Sequence, residues 1–129
     1  MSRLLAGVAL GGALGSLCRF GLTRWLTTHN PHPAFSLGVL VANLLGCFLI
    51  GLCFTRFSSL DPGLKEALTA FVVTGFLGGL TTYSSYALEL VRMSEQAAWR
   101  WAGLYLLTHL LAGLACVWAG AQLATRWSS

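Results

Sequence analysis

The chain has 129 residues, of which 56% are hydrophobic and only 9% charged, with a formal net charge of +4. Soluble domains carry about 25% charged residues, so this composition cannot cover a water-facing surface and the bilayer is the expected solvent. The basic residues are scattered and form no cluster, which argues against a nucleic-acid-binding surface.

A membrane-crossing helix needs about 20 apolar residues at about 1.5 Å rise each. The first predicted span runs from Leu4 to Leu26. It is too long for a signal peptide and lacks a small-residue cleavage site before a polar chain. Gly7, Gly11 and Gly15 recur every fourth residue along it, and Gly12 and Ser16 lie beside them. Such small-residue faces let helix backbones approach closely in lipid. Arg19 lies about 6 Å from the middle of this span by helix rise, close enough to snorkel toward an interface, and a structural role is expected for it.

The stretch "TTHNPHPA" interrupts the pattern with prolines and turn residues. The second span, Phe35 to Phe57, carries another small-residue face at Gly38, Ala42 and Gly46. Asn43 lies near its middle. A buried amide needs partners, and both a helix–helix hydrogen bond and a ligand-facing donor remain open for it.

"SSLDPG" precedes the third span, Leu64 to Val91, which contains "GFLGGLTTYSSY" at mid-depth. Gly78 and Gly79 weaken the helix, and Thr81, Thr82, Ser84 and Ser85 compete for its backbone hydrogen bonds. A local break is expected there. It would expose carbonyls that attract a cation and N–H groups that attract an anion. Irregular backbone survives at this depth only when buried in protein or lining a polar cavity. Beyond the break Tyr83 and Tyr86 share one helix face, with electropositive ring edges. With Ser84, Ser85 and Asn43 they form an anion-lining set without fixed charge. Glu89 lies about 15 Å from the glycine pair by helix rise, near the interface, and is a poor midplane proton carrier.

After "RMSEQAAWR" the fourth span runs from Trp101 to Leu123, with Ala112, Cys116, Gly120 and Ala124 on one face. His109 lies within it, and an interhelical hydrogen bond is the default expectation. Trp25, Trp99, Trp101 and Trp127 fall at span ends, where indole favours the interface. The four cysteines lie in apolar runs without metal-ligand spacing and read as small buried residues. Linkers are short, so residues 1–129 read as one membrane domain. The chain shows no nucleotide loop, nucleophile elbow or metal-ligand cluster, so no enzyme is expected.

Three small-residue faces exceed what one small bundle is expected to use, which points to an oligomer. Arg3, Arg56, Lys65 and Arg126 would lie on one side of the membrane, and Arg24, Arg92 and Arg100, with or without Arg19, on the other. A count so balanced does not choose an orientation. Two opposite insertions would pair as an antiparallel homodimer, although so small a tally also balances by chance.

Three stretches together resemble the Fluc (CrcB) family of fluoride channels. They are "GGALGSLCRF" in the first span, "LGVLVANLLGCFLIG" in the second and "GFLGGLTTYSSYALE" in the third. The resemblance implies an all-α fold of four transmembrane helices with the third broken, assembled as a dual-topology homodimer in the bacterial inner membrane. It implies passive export of fluoride along Asn43, Tyr83, Ser84, Ser85 and Tyr86, and hence fluoride resistance. It also implies a structural sodium ion at the subunit interface, held by the backbone carbonyls of Gly78 and Thr81. Tyr83 and Tyr86 replace the family's phenylalanines, Ser85 replaces a threonine, and "HLLAG" stands where many relatives have "NLLGS". A small dual-topology exporter of organic cations is the rival reading. It would want a deep carboxylate, and the first span has none.

Overall fold

A computed structural model describes residues 1–29 and 36–127. Among them there is no strand, and four helical spans are long and apolar enough to cross a membrane. Helix α1 is Ser2–His29 and α2 is Leu37–Phe57. The third span begins as α3, Pro62–Leu68, continues as a π-helical stretch, Thr69–Leu77, and ends its first half in one turn, α4, Gly78–Leu80. Two residues later it resumes as α5, Tyr83–Glu95, and the fourth span is α6, Trp99–Arg126. The expected second-span start at Phe35, and most of the proline-containing linker before it, lie outside the described residues.

Local chemistry explains the ends. Asp61 caps α3: its Oδ1 accepts from the N–H groups of Gly63 and Leu64, both at 3.1 Å, and Pro62 follows where no helical donor is needed. The α5–α6 turn closes with Ala97 at φ 54°. There the Ala98 N–H reaches the Met93 carbonyl at 2.8 Å and the Ala97 N–H that of Ser94 at 3.0 Å. This paired arrangement normally uses glycine at its left-handed position.

Packing is inverted relative to a soluble bundle. Leu10, Leu14 and Leu17 face outward, while the buried residues of α1 are Gly11 and Gly15. An added Cβ at Gly11 would overlap the Phe71 carbonyl oxygen and lie 2.9 Å from the Phe76 nitrogen. At Gly15 it would overlap the Phe76 oxygen and lie 2.9 Å from the Leu80 nitrogen. Helix α1 thus lies backbone-to-backbone on the first half of the third span. On the other side Gly51 meets Val117 and Ala121, and Gly120 meets Phe48 and Leu52, so α2 and α6 pair the same way. Dispersion between close backbones holds such contacts, since lipid removes the usual hydrophobic drive. A small core of Leu40, Met93 and Tyr105 ties α2, α5 and α6 together at one end.

Two expectations need correction. The small-residue faces are used within the subunit: Gly38 packs on Thr23 and Gly46 on Thr81, besides the pairs above. These contacts occupy the glycines within one subunit, so the small-residue faces do not by themselves call for a second copy. The cysteines are free, but they are not uniformly buried. Cys53 is buried and Cys18 is exposed on α1, because a thiol is apolar enough to face lipid.

Candidate functional site

The third span opens at Thr81 (φ −86°, ψ 153°) and Thr82 (φ −150°, ψ 112°), both extended. Gly78 and Gly79 stay helical, so the opening lies beyond the glycine pair. The glycines serve close approach instead: a Cβ on Gly79 would lie 2.5 Å from the Gly12 carbonyl oxygen and 3.0 Å from the Ser16 nitrogen.

Side chains from elsewhere hold the opening. Asn43 clamps Thr82 at both ends of its backbone: Oδ1 accepts the Thr82 N–H at 2.8 Å, and Nδ2 donates to the Thr82 carbonyl at 3.2 Å. The Thr82 hydroxyl then caps α5 by accepting the Ser85 N–H at 3.2 Å. The Thr81 hydroxyl folds back on the Leu77 carbonyl at 2.9 Å. Arg19 does not snorkel; its Nε donates to the Gly79 carbonyl at 3.0 Å. A free carbonyl at the opening is a nearer acceptor than the membrane surface.

Backbone accounting identifies the remaining acceptors. In a continuous helix the Gly78 carbonyl would take the Thr82 N–H and the Thr81 carbonyl the Ser85 N–H. Those donors are spent on Asn43 and on the Thr82 hydroxyl. Gly78 and Thr81 are thus carbonyls without their helical donors. Hard oxygen ligands of this kind fit an alkali cation, although two fall short of a full shell.

An open groove of about 590 Å³ lies against this opening. Its lining includes Asn43, Gly78, Thr81, Tyr83, Tyr86 and His109, and no carboxylate, lysine or arginine. Five of the seven residues expected from sequence therefore meet on one surface. Ser84 and Ser85 lie outside that lining, in the first turn of α5, with their hydroxyls 3.2 and 3.1 Å from the Thr82 Oγ1. The Tyr83 and Tyr86 ring centroids are 5.7 Å apart. Tyr83 lines the groove and is 79% exposed.

His109 is the groove residue that sequence reasoning did not assign. Its Nδ1 pairs with the Tyr105 carbonyl of its own helix at 3.0 Å, so the expected interhelical hydrogen bond is replaced by an intrahelical one. Its ring lies 4.2 Å from that of Tyr86 and 4.4 Å from that of Tyr105, centroid to centroid. Its Nε2 is buried and has no hydrogen-bond partner among the described residues. The sequence signal was its depth in an apolar span. Near it on α6 the Thr108 hydroxyl donates to the Leu104 carbonyl at 2.7 Å, and the Tyr105 hydroxyl to the Ser36 carbonyl at 3.4 Å.

The profile of one family, described as CrcB-like protein, Camphor Resistance (CrcB), matches residues 6–121. The chain belongs to the CrcB family. Among its curated relatives, a protein of Azotobacter vinelandii named fluoride-specific ion channel FluC is 43% identical over 113 residues, covering 88% of this chain and 90% of its own. A protein of Pseudomonas putida F1 with the same name is 42% identical over 123 residues, 95% of this chain and 98% of its own. Another, from Escherichia fergusonii, is 41% identical over 119 residues, 89% and 88% of the two chains. As a CrcB protein with four membrane-crossing helices, the chain is a multi-pass bacterial membrane protein of a channel family, not an enzyme family.

Proposed function

We propose that this CrcB chain is a fluoride-selective channel that carries fluoride passively out of the cytoplasm across the bacterial inner membrane. The observation that carries this reading is a groove at mid-membrane, lined by neutral donors and aromatic edges without fixed charge, in a chain whose relatives are named fluoride-specific channels. A small anion gives up its water only where donors replace it. Asn43 Nδ2 spends one hydrogen on Thr82 and keeps a second for the anion. Ring edges of Tyr83 and Tyr86 add weak positive potential. His109 packs its ring against Tyr86 beside the same groove. Ser84 and Ser85 extend the path at the N-terminus of α5, where the helix end favours an anion. Neutral ligands bind the ion weakly enough to release it.

The groove is open on one side, and one chain offers two freed carbonyls. A second copy inserted antiparallel would cover the first groove and double the carbonyls of Gly78 and Thr81. Those carbonyls would hold sodium, which when bound supplies a fixed positive charge that joins the two openings. The neutral lining disfavours an organic-cation exporter, which needs a deep carboxylate.

Proteoliposomes loaded with fluoride test the reading. After the voltage is dissipated, a fluoride electrode should record passive release that outpaces chloride and weakens in Asn43→Asp. Proton-driven uptake of an organic cation would replace the reading with the exporter. No flux of either kind would leave a membrane scaffold.

A further inference from the structure

We propose that Arg19 is a positioning residue for the sodium site, holding the Gly79 carbonyl against α1 and away from the ion, while the Gly78 and Thr81 carbonyls stay beside the groove. The proposal rests on the sodium reading above. Three consecutive features lead to it. Gly78 and Gly79 are neighbours in one helical turn, so their carbonyls, both directed along the axis, sit about 100° apart around it at 3.6 residues per turn. Gly78 lines the groove together with Thr81. Gly79 faces Gly12 and Ser16 of α1, and its carbonyl accepts from Arg19 Nε at 3.0 Å.

Loss of the helical donor at an opening frees every carbonyl of the preceding turn. A cation draws in whichever of them can swing toward it. Something must therefore hold back the carbonyl next to Gly78. A hydrogen bond from a charged donor is about twice as strong as one from a neutral donor, and it resists that pull. Arginine also keeps its charge at any depth and fixes the direction of its Nε–H by a planar group.

The register of α1 leaves Arg19 little choice of partner. Gly15, one helical turn before it, lies on the Phe76 carbonyl and the Leu80 nitrogen, where even a methyl group would not fit. The helix cannot slide along the third span, and the guanidinium is delivered to Gly79. Its hydrogen-bond partner is a neutral carbonyl, whereas Arg92 pairs with Glu89 at 3.5 Å. A cation is expensive at this depth, and service to a backbone carbonyl gives it a reason to be there.

Two measurements test this. Thermal unfolding of purified protein is followed in sodium, lithium and potassium chloride at fixed total salt. The unsubstituted chain should gain stability specifically from sodium. Arg19→Gln should move the half-saturating sodium concentration by about tenfold, the scale of one charge-assisted hydrogen bond, while Arg19→Lys moves it less. An Arg19→Gln chain that loses stability equally in every salt, with unchanged sodium saturation, makes Arg19 a plain brace and overturns the proposal. An unsubstituted chain with no sodium-specific response overturns the sodium reading and this one with it. The second measurement needs no variant and so survives a folding failure. With glycine carbonyls labelled by carbon-13, exchanging potassium for sodium should shift the Gly78 resonance and leave that of Gly79 in place. Equal shifts at both would overturn the proposal.

Discussion

Replacing Asn43 by leucine keeps the side chain's approximate shape and removes both ends of the Thr82 clamp. The two hydrogen bonds, at 2.8 and 3.2 Å, contribute about 1 kcal/mol each, and a buried N–H left without a partner costs roughly 1–3 kcal/mol more. Thr82 is extended, so its N–H cannot regain a helical acceptor unless the opening closes. The expected loss is therefore about 3–5 kcal/mol, a large share of the stability of a small domain. Unfolding of the reconstituted protein, titrated with sodium dodecyl sulfate and followed by tryptophan fluorescence, measures it. Amide hydrogen exchange at Thr82 locates it, because protection there depends on the Asn43 Oδ1. Asn43→Asp keeps that acceptor and gives up the donor, so it should lose less stability while fluoride release falls. A leucine variant within about 0.5 kcal/mol of the parent, with Thr82 still protected, would refute the clamp, since surface-like changes are of that size.

Three further outcomes follow from the geometry. Gly15→Ala should cost more than about 2 kcal/mol or block folding, whereas Gly21→Ala, with nothing within 4 Å, should gain about 0.5–1 kcal/mol. The same detergent titration reads both, and equal effects would show that close backbone approach is not what the glycines serve. Asp61→Ala should cost about 1 kcal/mol by removing the α3 cap, seen as faster amide exchange at Gly63 and Leu64. Ala97→Gly should gain about 1 kcal/mol by relieving the left-handed φ of 54°, read as a higher unfolding midpoint.

The four spans were legible because an apolar run of bilayer length has few other uses. That the third span opens between its glycine pair and Tyr83 was legible too, from its glycines and hydroxyls, but what holds it open there was not. A helical glycine costs about 1 kcal/mol, which is less than the two bonds of Asn43 and the cap of Thr82 together provide two residues on. Asn43 and Thr82 are 39 residues apart in sequence, so no local pattern predicts their pairing. A structural role was legible for Arg19 from its depth, but its acceptor was not, since Gly79 is 60 residues away. The small-residue faces were visible, but not their partners, because a stripe of glycines says only that some backbone will come near. His109 was noticed by depth alone, and its place beside Tyr86 emerges only when α5 and α6 meet.

The π-helical stretch Thr69–Leu77 has a consequence for how the chain tolerates change in length. Along α1 the contacting glycines step by four, from Gly11 to Gly15. Opposite them the touched carbonyls step by five, from Phe71 to Phe76. One helix is counting in wider turns than the other, as two scales of unequal pitch do. The extra residue is absorbed where i→i+5 bonding already accommodates it. The span therefore carries a reserve of one residue just before its opening. Removing a residue inside the wide turns would tighten them toward an ordinary helix. The same deletion in α1 would rotate every glycine after it off its partner backbone.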